Sequence, residues 1–122
     1  MRLKPLIFPA MLALAGCAKE PPAPTATPAP TFKASCSTPA LGVCTEYMND
    51  AFVLGEEVLK TGCLETKGTW SPAHCPTEKK LGGCALAGQL RVYYPGGELD
   101  YSPASAQQDC TALFQGRWVA SR

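Results

Sequence analysis

Six cysteines, Cys36, Cys44, Cys63, Cys75, Cys84 and Cys110, are the residues of this chain whose type and spacing most directly imply chemistry. A thiol can ligate zinc, exchange disulfides or close a covalent bridge, and spacing separates these uses. Zinc sites draw on close pairs such as Cys-x2-Cys, whereas the nearest two here, Cys36 and Cys44, stand eight positions apart. The single histidine, His74, has no histidine partner. No Cys-x-x-Cys motif is present, which removes a thioredoxin-like redox site. An even number of cysteines in a small exported domain instead implies a disulfide framework, with its connectivity open.

The remaining reactive side chains do not form a catalytic group. Glu56 and Glu57 are neighbours on a predicted helix and diverge by ~100°, which suits solvent better than a shared substrate. Asp100 and Asp109 have no relation that spacing fixes, and neither a Gly-x-Ser-x-Gly elbow nor a His-Glu-x-x-His site occurs. The expectation is therefore a protein that is not an enzyme, with no catalytic residue, no metal and no cofactor. With 11 basic and 10 acidic residues and a formal charge of +1, nothing attracts a polyanion, so nucleic acid is not expected as a partner.

The cysteines need an oxidising compartment, and the start of the chain supplies an address. Arg2 and Lys4 precede an apolar run from Leu6 to Ala15, then small residues lead to Cys17. That run suits a signal-peptide core and is well short of the ~20 residues of a membrane-spanning helix. Leu14-Ala15-Gly16-Cys17 resembles the lipobox of bacterial lipoproteins. The resemblance implies cleavage before Cys17, lipidation of its thiol, and anchoring by acyl chains that contribute ~0.8 kcal/mol per buried CH2. With Ala18 next, it also implies the outer membrane as destination. Residues 1–16 are thus expected to be a lipoprotein signal peptide. Residues 17–35, rich in Pro, Ala and Thr, are expected to form a disordered tether reaching ~55 Å in extended polyproline form.

The rest, residues 36–122, is expected to be a small disulfide-rich α+β domain of two pseudo-symmetric strand-helix-strand units with antiparallel strands, about 36–74 and 75–122. The units align Cys36, Leu41-Gly42-Val43-Cys44, Cys63 and Lys67-Gly68-Thr69-Trp70 with Cys75, Leu81-Gly82-Gly83-Cys84, Cys110 and Gln115-Gly116-Arg117-Trp118. Such order is best explained by duplication. A strand is read near Thr45–Met48, then a helix starting at Asn49-Asp50 and closing at Gly68, weakened by Gly55 and Gly62. In the second unit Leu90, Val92 and Tyr94 share a strand face, Pro95-Gly96-Gly97 turns, and Glu98 to Tyr101 returns. Ser102-Pro103 opens a helix through Ala106, Cys110 and Leu113 that Gly116 closes. A helix packed on its own sheet suggests Cys44–Cys63 and Cys84–Cys110, leaving Cys36–Cys75 to join the units. Trp70 and Trp118 are expected beside the bridges.

Tyr93, Tyr94 and Tyr101 on the second hairpin are the expected binding surface. The segment Gly88 to Leu99 also resembles one unit of variant MORN repeats, which implies an interaction module. The expected function is a membrane-anchored extracytoplasmic lipoprotein that binds or inhibits an envelope protein or glycan. The alternative is a structural cell-envelope lipoprotein without a specific ligand.

Overall fold

The computed structural model describes residues 30–121. The signal peptide, Cys17 and most of the tether lie outside the described residues. The chain runs β1 (Phe32–Thr38), β2 (Val43–Met48), a 3-10 segment (Asn49–Leu54), α1 (Glu56–Glu65), β3 (Thr69–Ser71), β4 (Gly82–Leu86), β5 (Gln89–Tyr93), α2 (Pro103–Gln108) continued by a π-helical turn (Asp109–Leu113), and β6 (Arg117–Ala120). The strands form one six-stranded sheet in the order β3-β1-β2-β5-β4-β6, with every neighbour antiparallel. The fold is a small disulfide-rich α+β domain.

Register decides which residues meet. Trp70, Cys36, Thr45, Arg91, Cys84 and Trp118 lie in one row across all six strands. Directly opposed residues share a face of a pleated sheet, so this row points one way. Both helices cover that face, because Cys36 is bonded to Cys63 of α1 and Cys84 to Cys110 in the turn that continues α2. The next row contains Ser37, Cys44, Val92 and Gly83 and points to the other face. There Cys44 bonds Cys75, and Val92 packs against the pair.

Only Cys84–Cys110 matches the expected pairing. Cys63 takes Cys36 rather than Cys44, and Cys75 takes Cys44 rather than Cys36. The reason is the pleat: Cys36 stands opposite Thr45 and Cys44 opposite Ser37, so these two cysteines face opposite sides. Only Cys36 lies under α1. The expected alignment of Cys44 with Cys84 fails for the same reason, since Cys84 is the residue that shares the helical face with Cys36.

Three further expectations change. β1 begins at Phe32, ahead of the boundary placed at Cys36; the Phe32 ring stacks on His74 with centroids 3.8 Å apart, and the Ser35 hydroxyl donates to the Ala73 carbonyl at 2.6 Å. The helix expected from Asn49 is split at Gly55, whose φ of +95° ends the 3-10 segment before α1 starts. No return strand forms over Glu98 to Tyr101. The chain from Tyr94 to Glu98 docks instead on the β1–β2 turn, with Tyr94 N–H donating to Gly42 O and Glu98 N–H to Ala40 O. Gly97 lies against Gly42 N and Leu41 C, where a Cβ has no room. The MORN-like hairpin is therefore absent, and β5 pairs with β4 and β2.

The second helix starts as expected. Ser102 caps it, its hydroxyl accepting from Ser105 N–H in a capping box, with Pro103 in the first turn. Gly68 and Gly116 follow the helical segments, but the left-handed residues are Lys67 (φ 59°) and Gln115 (φ 53°). The glycines serve close approach: a Cβ on Gly68 would stand 2.6 Å from Cys36 Sγ, and one on Gly116 would overlap Cys84 Sγ. Gly68→Ala and Gly116→Ala should each lower stability by about 1–3 kcal/mol or more by overpacking a bridge. Chemical denaturation of each variant checks this, and Gly62→Ala, with open space for its Cβ and no left-handed φ, serves as the comparison.

Candidate binding cleft

Two of the three aromatic residues expected on a binding surface are in the core. Tyr93 is 0% exposed and Tyr101 8% exposed. Their rings meet edge to face at 4.8 Å, and both hydroxyls donate to Asp109 Oδ2, at 2.7 Å from Tyr93 and 3.4 Å from Tyr101. Burial, with the Asp109 hydrogen bond next, pushes the Tyr93 pKa well above the usual tyrosine range. Tyr94 is half-buried, and its hydroxyl donates to Pro76 O. The expected surface is thus replaced by packing, because β5 is a central strand with elements on both faces.

Other candidates have structural partners. His74 Nδ1 lies 3.0 Å from Glu46 Oε2, and the same oxygen accepts from Cys75 N–H at 2.8 Å. This carboxylate fastens the Pro-rich loop beside the Cys44–Cys75 bridge. Glu56 and Glu57 are exposed in the first turn of α1, where they suit the helix dipole. Trp70 stacks on Tyr47 at 5.7 Å and Trp118 lies 5.8 Å from Tyr93, each half-buried near a bridge. All six cysteines described here are bridged.

An open cleft of about 350 Å3 lies between α1 and the sheet. β2 and β5 give it a floor of Thr45, Tyr47 and Arg91. Val58 and Leu59 of α1 form one wall, Leu41 and Val43 another, and Gly62 leaves a gap beside the Cys36–Cys63 bridge. Among the described residues that line it, Arg91 is the only charge.

Arg91 is held from behind. Its Nε donates to the Tyr93 hydroxyl at 3.2 Å and lies 3.8 Å from Asp109 Oδ2. Its guanidinium carbon is 4.7 Å from the Phe114 ring centroid and 5.4 Å from that of Tyr93, distances that favour cation–π attraction. The side chain is 23% exposed. Asp109 is not part of the cleft lining, whereas Arg91 is, and the arginine's charge acts on Tyr47 across the floor. Tyr47 beside it makes no hydrogen bond among the described residues, and burial raises its pKa while Arg91 opposes the rise. Its hydroxyl therefore stays protonated and available as a donor.

Sequence reasoning passed over Thr45, Tyr47 and Arg91. Alternation around Leu90 and Val92 set Arg91 on the opposite face, which reads as solvent when a sheet has one covered side. Tyr93 on that same face was the signal that it too is packed. No family model, curated protein or solved structure matches the chain.

Burial, with Glu46 second, pushes the Tyr94 pKa up from 10.0 to about 12. The folded protein therefore holds this proton longer than the unfolded chain does. Stability tied to the hydroxyl is complete below pH 10 and is lost as pH rises through about 12. Denaturation midpoints measured from pH 9 upward should fall, and Tyr94→Phe should flatten part of that fall.

Proposed function

We propose that this chain is a lipid-anchored extracytoplasmic lipoprotein whose domain is a non-catalytic binding module, with the cleft under α1 as its binding site. The observation that carries this reading is a cleft whose floor holds a preoriented arginine and an unpaired tyrosine hydroxyl beneath apolar walls. Ligand sites combine apolar lining with a few placed polar groups in this way. Three disulfides fit an oxidising compartment, the lipobox-like Leu14-Ala15-Gly16-Cys17 supports lipid attachment, and Ala18 after it makes the outer membrane the expected destination. An envelope protein or glycan is the expected partner.

We also infer that the domain arose by duplication, with the equivalence Cys36/Cys84, Cys63/Cys110, Gly68/Gly116 and Trp70/Trp118. Several matches support it. Cys36 pairs with Trp70 across β1–β3, and Cys84 with Trp118 across β4–β6. Left-handed Lys67 and Gln115 precede glycines that abut the bridges, and Gly68 N–H donates to Cys63 O as Gly116 N–H donates to Cys110 O. The axis then passes through the opposed pair Thr45 and Arg91, and Tyr47 corresponds to Tyr93.

Gly62 gives a direct test, since a Cβ there meets nothing within 4 Å and leaving glycine favours the helix. Gly62→Phe should fill the cleft without unfolding the domain. A photo-crosslinker at the exposed Val58 should capture one envelope component in cells, and Gly62→Phe should abolish that capture. Cys17→Ser should release the domain from the membrane fraction. Capture indifferent to Gly62→Phe, together with an envelope defect that only loss of the whole chain produces, favours a structural lipoprotein instead.

A further inference from the structure

Gly62 and Asp109 occupy the same place in the two halves, each immediately before the helical cysteine of its bridge, Cys63 or Cys110. In the second half the Asp109 carboxylate accepts from the Tyr93 hydroxyl at 2.7 Å and lies 3.8 Å from Arg91 Nε. In the first half the corresponding tyrosine, Tyr47, has no such partner among the described residues. The corresponding position is Gly62, with empty space where a side chain would start. The halves thus differ by one carboxylate. The second half supplies its own acceptor, and the first leaves the acceptor's place open to solvent at the cleft.

We propose that the cleft binds an aliphatic carboxylate, whose anionic end takes the place in the first half that the Asp109 side chain fills in the second. This inference rests on the cleft being the binding site and on the two-unit correspondence. Arg91 stands directly opposite Thr45 on neighbouring strands, so Arg91, Thr45 and Tyr47 share one face of the sheet, and all three line the cleft. Two charge-assisted donors from an arginine and one or two hydroxyls match the four lone-pair sites of a carboxylate. The cleft lining has no acidic residue to compete. Val58, Leu59, Leu41 and Val43 then receive an aliphatic group next to the carboxylate. Because Tyr93, Asp109 and Phe114 already immobilise Arg91, little entropy is lost when it binds an anion.

Such a carboxylate could be the free C-terminus of a peptide ending in an aliphatic residue or a short branched acid. N-acetyl-leucine represents the first and 4-methylpentanoate the second, with N-acetyl-leucinamide as the uncharged comparison. Binding to the full chain is followed by Trp fluorescence, since Trp70 stacks on the Tyr47 ring, and by calorimetry. At least one acid should bind at millimolar concentration or better, with the amide about tenfold weaker or more, as expected when a charge-assisted hydrogen bond is lost. N-acetyl-leucine alone points to a peptide C-terminus; binding of both acids points to short carboxylic acids in general. Tyr47→Phe, which leaves the Arg91 clamp intact, should weaken binding several-fold. Arg91→Gln should weaken it further. Gly62→Asp should abolish binding by supplying the carboxylate internally. Equal binding of the amide, indifference to Gly62→Asp, or no binding of either acid overturns the inference. Failure of the acids while Gly62→Phe still abolishes cellular capture overturns the carboxylate alone; survival of capture overturns the cleft reading beneath it.

Discussion

The architecture depends on covalent attachment of both helices to one face of a twisted antiparallel sheet. Cys36 and Cys84 stand in the same cross-strand row, and each reaches a helical cysteine, Cys63 or Cys110. The helices offer little burial of their own. Cys63 is the buried residue of α1, and Val58 and Leu64 on the same helix are 58% and 57% exposed. A helix that short and that exposed is marginal in water without tertiary support. Closing loops of this length restricts the unfolded chain by on the order of 3–4 kcal/mol per bridge in the chain-entropy picture. The bridges also fix the glycines: Gly68 and Gly116 lie against sulfur, which leaves the left-handed turn to Lys67 and Gln115 at roughly 1–2 kcal/mol each.

The same arrangement produces two different spaces under two similar roofs. Beneath the second helical segment, Tyr93, Tyr101, Asp109 and the bridge form a packed cluster with Ala106 and Val43. Beneath α1 the packing stops short, since Gly62 contributes no side chain and Val58 leans to solvent. Polar groups that would be satisfied in a closed core are left facing water. Arg91 links the two spaces, held on one side by Tyr93, Asp109 and Phe114 and open on the other. Preorganisation of this kind is what the proposed binding role requires.

Local sequence signals located much of the secondary structure. The Ser102-Pro103 start, the β2 and β5 strands and the bridged state of the cysteines follow from capping, alternation and cysteine arithmetic. Pairing was not legible, because nothing local states whether Cys36 and Cys44 face the same way. That depends on the β1–β2 register, in which Thr45 and not Cys44 opposes Cys36. Tyr93 and Tyr101 illustrate the same limit from another side. A tyrosine next to a Pro-Gly turn reads as exposed, yet the strand that would have paired across that turn is absent and β4 takes its place. The cleft depended on the same choice, since a residue such as Arg91 gains meaning only when the face it occupies is known.

Disulfide mapping by mass spectrometry of the unreduced protein tests this arrangement most directly. Cleavage should yield peptides joining Cys36 to Cys63, Cys44 to Cys75 and Cys84 to Cys110, with no free thiol among these six. A peptide joining Cys44 to Cys63 would place α1 on the opposite face of the sheet, and the cleft above Thr45, Tyr47 and Arg91 would not exist.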